Sequence, residues 1–293
     1  MSGKRDIAKL LNGPYADNVL LVFSYAFENR ENALKALSYL ISEGHDDQMI
    51  YRVAHGYKTR YVVKSTDTAQ HNRFKTKRRA KIRRQQINQL LKGVKYPKYA
   101  YLDIGCETMM EPENYADTLG ISRTAMNCIN IRDWAGAYEE NVHGNAVGND
   151  SRFSFYDGVN IPHDDSSFSV VTLNMVLHHV SDHMKDELLK NVYRVLEEGG
   201  ILIIREHDSH HNDSDKKEEF DLYLDFIHHH YDSVANRDFR WVDDYETTYE
   251  SQTALRKRLE DHGFRSVRSI SYNRNDRAYQ EVFKIDKKRG DRG

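Results

Sequence analysis

The sequence predicts an α/β fold: a mostly parallel β-sheet with helices on its faces, preceded by a mainly helical, basic extension. Three observations predict it. From residue 99 onward, short apolar runs alternate with helical stretches, the pattern of a parallel sheet covered by helices. Near the end, the runs 264–272 and 278–285 flank the turn-rich residues 273–277, which reads as a closing hairpin. Residues 1–66 instead carry helical periodicity. These zones divide the chain into 1–98, the extension, and 99–293, the sheet domain.

The composition allows such a core and excludes several classes. Of 293 residues, 39% are hydrophobic and 30% charged, with 43 basic against 45 acidic side chains, a net charge of −2. That near-neutral total excludes a uniformly basic coat but not a local patch. No apolar run approaches the roughly 18 residues of a membrane helix, and the first nine residues lack the signal-peptide pattern. The two cysteines, Cys106 and Cys128, are too few for a disulfide framework or a multi-cysteine zinc site. A soluble, cytoplasmic protein is expected.

Each element then follows in order. Residues 31–41 place Ala33, Leu34, Leu37, Leu40 and Ile41 on one helical face. Residues 57–64 read as a short strand. Between Asp67 and Asp103 no acidic residue occurs, while Arg73, Lys75, Lys77, Arg78, Arg79, Lys81, Arg83, Arg84, Lys92, Lys95 and Lys98 are all basic. Within this stretch Ile82, Ile87, Leu90 and Leu91 give a helix one buried stripe beneath a basic face. Strands are expected at 99–104, 125–131, 153–156, 168–173 and 200–205. The clearest helix, 183–196, lines up Met184, Leu188, Leu189, Val192 and Leu196, and Gly199 and Gly200 are expected to stop it. Residues 207–217 read as a polar loop over the pocket, followed by a helix at 218–231. A last helix at 252–262 stops at Gly263.

Doubly wound sheets bind ligands beyond the carboxyl ends of their strands, so the residues there are the candidates. They are Asp103, Gly105, Cys106 and Glu107 after the first run; Asn130 and Asp133 after the second; Asp157 and Gly158 after the third; Asn174, His178 and His179 after the fourth; Glu206 and His207 after the fifth.

Taken together, residues 102–106, 156–162, 164–171, 178–180, 193–196 and Gly199-Gly200 resemble the class I S-adenosylmethionine (SAM)-dependent methyltransferases, the type 11 branch in particular. The segment 203–208 is most similar to virus-encoded members. The resemblance covers residues 99–285 and implies a Rossmann-like, seven-stranded, mostly parallel sheet with one antiparallel strand. It implies SAM as cofactor and methyl transfer as activity. It also assigns roles: Asp103, Gly105, Cys106 and Glu107 in the donor loop, Asn130 and Asp133 at the ribose, Asp157 and Gly158 at the adenine, Asn174 at the pocket floor. Glu107 and Met109 stand where the family pattern carries further glycines.

Methyl transfer is an alignment problem, and a base is needed only when the acceptor must lose a proton. His178, His179, Glu206 and His207 are the candidates, with none singled out. Arg78, Arg79, Arg83 and Arg84, with His207, are expected to bind substrate, because aligned basic residues without carboxylates suit phosphates. RNA bound through residues 73–98, in the form of a cap guanine N7 acceptor, is the leading expectation; an acidic partner protein is the rival for that patch. A small-molecule acceptor is the second reading, and a catalytically silent scaffold the third. No metal is expected, since the triple histidine at 228–230 spreads around a helix.

Overall fold

A computed structural model describes residues 6–24, 26–61, 80–106, 109–131, 150–209, 214–230, 248–271 and 278–286. These separate into two compact units, one drawn from Met1–Lys75 and His211–Tyr245, the other from Thr76–His210 and Glu246–Gly293. This division differs from the one at residue 98: the basic helix belongs with the sheet, and the helix after the fifth strand belongs with the N-terminal helices.

The first unit is helical: α1 (Asp6–Leu11), α2 (Ala16–Ser24), α3 (Arg30–Ser42), α4 (Asp47–Tyr61) and α8 (Ser214–His230). Its core is aromatic. Phe23 lies 5.8 Å from Tyr51 and 5.6 Å from Phe226, ring centre to ring centre, and the Tyr51 hydroxyl donates to the Phe226 carbonyl at 3.1 Å. The strand expected at 57–64 is wrong over residues 57–61, and residues 62–64 lie outside the described residues. α4 continues to Tyr61, because Ile50, Tyr51 and Ala54 bury one helical face and nothing breaks the turn that follows. α8 also begins four residues earlier than expected.

The second unit is built on one seven-stranded sheet in the order β3-β2-β1-β4-β5-β7-β6. The strands are β1 (Tyr101–Ile104), β2 (Met126–Ile131), β3 (Phe153–Tyr156), β4 (Phe168–Asn174), β5 (Leu196–His207), β6 (Phe264–Ser271) and β7 (Ala278–Ile285). β1 to β5 pair in parallel, whereas β7 runs antiparallel to both β5 and β6. The chain order reverses between β1 and β4, the switch point at which open α/β sheets hold ligands. The expected fold class is therefore borne out.

Strand residues alternate between two faces, and each face has its own helical cover. Leu102, Ile104, Val171, Leu173, Leu202 and Ile204 pack with Leu188, Leu189 and Val192 of α7 (Asp182–Val195) and Leu255 and Leu259 of α9 (Gln252–Asp261). On the other face, Tyr101, Cys128, Val170, Ile201 and Ile203 meet Ile87 and Leu90 of α5 (residues 80–90) and Tyr115, Ala116 and Leu119 of α6 (Met110–Leu119). α5 is held at its carboxyl end by Arg268, whose Nη1 donates to the carbonyls of Gln89 (3.0 Å), Leu90 (3.2 Å) and Lys92 (2.7 Å).

Gly199 and Gly200 do not stop the helix before them. α7 ends at Val195, and the glycines lie inside β5 at a register shift between Phe168 and Val170, with Gly199 at φ 75°, a bulge conformation that glycine adopts without steric cost. Among the described residues no helix is long and apolar enough to cross a membrane.

Candidate active site

Toward the carboxyl ends of β1 and β4, the sheet face under α5 and α6 turns from apolar to polar. Asp103 pairs in register with Thr172 across the β1–β4 seam and is only 5% exposed. Its Oδ1 accepts from the Thr172 hydroxyl, from the Tyr101 hydroxyl at 3.1 Å and from Asn174 Nδ2 at 3.5 Å. Burial pushes its carboxyl up to about 7; the hydrogen bond from Thr172 opposes the rise and the nearby Glu111 adds to it. Asn174 in turn accepts at Oδ1 from the Tyr115 hydroxyl at 2.9 Å, and that hydroxyl accepts from Gln280 Nε2 at 3.1 Å. One connected polar chain thus runs from β1 through β4 and α6 to β7.

The turn after β1 shows which glycine the chain needs. Gly105 has φ 85°, and a Cβ there would sit 2.4 Å from Val176 Cγ2. Met109, at another family glycine position, caps α6 with φ −65°, a conformation open to any residue. Glycine is kept where positive φ and close packing demand it, and lost where helical backbone makes it dispensable. Glu107 lies outside the described residues. Cys106 is buried, and its carbonyl accepts from Asn130 Nδ2 at 3.0 Å. Asn130 Oδ1 accepts from the Ile131 amide at 2.8 Å, so both ends of this side chain brace backbone. Asp133 lies outside the described residues.

At the end of β3, Asp157 is exposed and Gly158 buried. The Asp157 carboxylate accepts from the Val159 amide (2.9 Å), the Asn160 amide (2.6 Å) and Asn160 Nδ2 (2.6 Å). These donors hold its carboxyl below the ordinary value, the Asn160 side chain contributing most. The residue closes its own turn.

A second polar group forms at the ends of β4 and β5. Glu206 Oε1 accepts from the amides of Val176 (2.9 Å) and Leu177 (2.7 Å), and its Oε2 lies 2.5 Å from His178 Nδ1. Both side chains are almost wholly buried. Burial lowers the His178 imidazole far below its usual value and raises the Glu206 carboxyl. The His179 ring lies 4.0 Å from that of His178, tilted by 46°, and His207 lies 5.2 Å from His178, ring centre to ring centre. Beside them the buried Lys185 donates to the Thr248 carbonyl (2.7 Å) and to Glu250 (3.1 Å). A small cavity is lined by the polar side chains of His178, Lys185, Glu206, His207, Thr248 and Glu250 together with Leu177 and Leu255.

The four arginines expected to bind substrate do not act alike. Arg83 pairs with Glu111 at 3.1 Å and is mostly covered, which removes it from a free basic face. Arg84 is exposed, and its charge helps keep Asp117 low after the direct bond from Arg123. Arg78 and Arg79 lie outside the described residues. Sequence reasoning missed Tyr115, Thr172 and Gln280. The one available signal was Gln280-Glu281 in the middle of an apolar strand, where both are fully buried.

With this geometry in view, the relatives can be placed. A model of the ubiE/COQ5 methyltransferase family matches residues 65–276. The chain belongs to the ubiE/COQ5 methyltransferase family. The demethylmenaquinone methyltransferase of Listeria welshimeri is 27% identical over 137 residues, 46% of this chain and 52% of that protein. That of Lactobacillus johnsonii is 27% identical over 132 residues, 44% and 52% respectively. The chain spans about half the length of the curated relatives it matches. Among solved structures, a SAM-dependent methyltransferase from Aquifex aeolicus has 15% identity and a TM-score of 0.43, covering 68% of this chain and 88% of its own. The N-methyltransferase NodS from Bradyrhizobium japonicum, in complex with S-adenosyl-L-homocysteine, has 13% identity and a TM-score of 0.41, covering 71% and 87%. Membership bears out the resemblance to SAM-dependent methyltransferases and, with it, SAM as the cofactor the site must fit.

Proposed function

We propose that this chain transfers the methyl group of SAM to a small-molecule acceptor. The observation that carries the reading is the buried Asp103–Asn174–Tyr115 chain at the β1–β4 switch point, beside a glycine turn that tolerates no side chain. The residues fit the cationic amine of SAM: a buried carboxylate to meet it and an amide beside it that can both donate and accept.

When bound, SAM supplies a methyl group on a sulfonium that is already a good leaving group. The chain's residues do the rest. Once ionised, Asp103 holds its charge in a low-dielectric setting, where its attraction for a cation is strong. Thr172, Tyr101 and Asn174 fix that carboxylate, so no reorganisation is needed when a ligand arrives. Gly105 lets backbone come close. The Glu206–His178 pair does not offer an exposed base: both side chains are buried and bonded to each other, and Glu206 also accepts from the Val176 and Leu177 amides. That suits an acceptor atom that attacks without first losing a proton to the protein.

Two supports favour a small molecule. The relatives named above act, by their names, on demethylmenaquinone, and Arg83 is taken up by Glu111. A second reading, RNA as acceptor, keeps one observation in its favour: the eleven basic residues between Arg73 and Lys98 with no acidic one among them. A radiolabelled-SAM assay against demethylmenaquinone, a metabolite extract, capped RNA and uncapped RNA separates them. Label in an organic-extractable product supports the proposal; label in RNA alone overturns it.

A further inference from the structure

We infer that Glu206 is a positioning residue: it fixes the turn after β4 against Gly105 and so sets the floor of the donor pocket. The inference rests on the reading of the β1–β4 switch point as the SAM site and deepens it.

The turn from Met175 to His178 is not one its sequence favours. Met175 has φ 60°, a left-handed conformation that is unfavourable for a non-glycine residue. The short helical turn that follows, Leu177–His179, has Val176 at its cap, with no side-chain capping bond. The amides at its start therefore need an acceptor from elsewhere. Glu206 provides it. One carboxylate oxygen takes both the Val176 and Leu177 amides, and the other meets His178. The Met175 amide donates to the Arg205 carbonyl at 2.7 Å, so the last residues of β5 hold the whole turn.

The consequence reaches the glycine turn through one side chain. Val176 fills the space where a residue-105 Cβ would stand, its Cγ2 lying 2.4 Å from that point. Glu206 sets Val176, and Val176 sets how closely the β1 turn packs. The far side of the clamp is braced as well: the His178 carbonyl accepts from the Thr248 amide at 2.8 Å, and Thr248 Oγ1 donates to the Val180 carbonyl at 2.6 Å. A buried carboxylate on an apolar strand is expensive unless its oxygens are satisfied. Here all its observed bonds go to the turn, which is the arrangement of a clamp and not of a group that exchanges protons with an acceptor.

The test uses the full chain with Glu206→Gln, Glu206→Ala and Val176→Ala. Amide hydrogen exchange at residues 176 and 177 is read by mass spectrometry, SAM affinity by calorimetry, and methyl transfer as a function of pH. Glutamine keeps an acceptor oxygen for the two amides. Glu206→Gln is therefore expected to retain their protection, the pH profile, and SAM affinity within about threefold, whereas Glu206→Ala loses protection and weakens SAM by about tenfold or more, a factor worth roughly 1.4 kcal/mol. Val176→Ala should weaken SAM with Glu206 intact, which keeps the test decisive should Glu206→Ala fail to fold. Equal loss of turnover in the Gln and Ala variants, with protection and SAM affinity unchanged, would make Glu206 a proton acceptor and overturn the inference. Unaltered exchange in Glu206→Ala would overturn it too. Failure of the wild-type chain to bind SAM sinks the parent reading, while the exchange result still decides whether the clamp exists.

Discussion

Two carboxylates named on the same sequence grounds, Asp103 and Asp157, stand in opposite environments. Asp103 lies within β1, nearly sealed from solvent, with a carboxyl raised to about 7. Asp157 lies on the surface after β3, satisfied three times by its own turn and held low. The difference teaches that position at a strand end does not define a role. A carboxylate whose charge is poorly compensated in the free protein gains from an incoming cation. One that is exposed, its charge already stabilised by solvent and by three donors of its own turn, gains less.

The largest effect is expected where the Asp103 region is tightest. Gly105→Ala must relieve a 2.4 Å approach to Val176 at positive φ. Overpacking of that kind costs about 1–3 kcal/mol, with the backbone penalty added. A lower urea midpoint together with lost SAM binding is predicted; an unchanged midpoint would show that the turn is looser than described.

Asp103→Asn sharpens the comparison through pH. The folded value of about 7 lies above the ordinary 3.8, so the native chain keeps a proton that the unfolded chain has released. This group's contribution to stability is present at low pH and is lost as pH rises through about 7. Asp47, also raised to about 7 by burial, acts in the same direction, so the informative quantity is the difference between variant and wild type. The variant's stability should fall less over that window. Parallel pH curves would break the account of Asp103.

Arg268→Ala removes one guanidinium from three carbonyls at the end of α5. A charged hydrogen-bonding group of this kind is worth about 1.5–3 kcal/mol, with the lower end expected at a partly exposed site. Faster amide exchange in α5, with the sheet unaffected, is the expected readout, and uniform exchange would contradict it. The smallest effect belongs to Asp157→Ala. Its turn should lose about 1 kcal/mol, and SAM affinity should change less than in Asp103→Asn. A larger loss at Asp157 would reverse the comparison.

Much of this architecture was legible because it is written in local pattern. Apolar runs ending in Asp-Ile-Gly105 or Leu-Asn174 mark strand ends, and β6 and β7 were found from a turn between two such runs. The polar chain was not legible. Tyr115 and Gln280 are 165 residues apart in sequence, and neither carries a local sign of its partner. The strand expected at 57–64 failed over residues 57–61 because a short β-branched run outweighed the helical stripe leading into it. Gly199 and Gly200 were misread for a related reason: glycine marks both helix ends and strand bulges, and only pairing with β4 distinguishes them. Position after a strand end and residue type make Glu206 and His178 catalytic candidates in the sequence, but neither shows that the two meet as a buried pair.

The measurement that bears most directly on the site is a calorimetric titration of the full chain with SAM as pH is raised through the Asp103 transition. Binding that strengthens as the carboxyl ionises, accompanied by proton release, is the predicted result. No heat up to millimolar SAM, or an affinity indifferent to pH in wild type and Asp103→Asn alike, would contradict the placement of the methyl donor at the β1–β4 switch point.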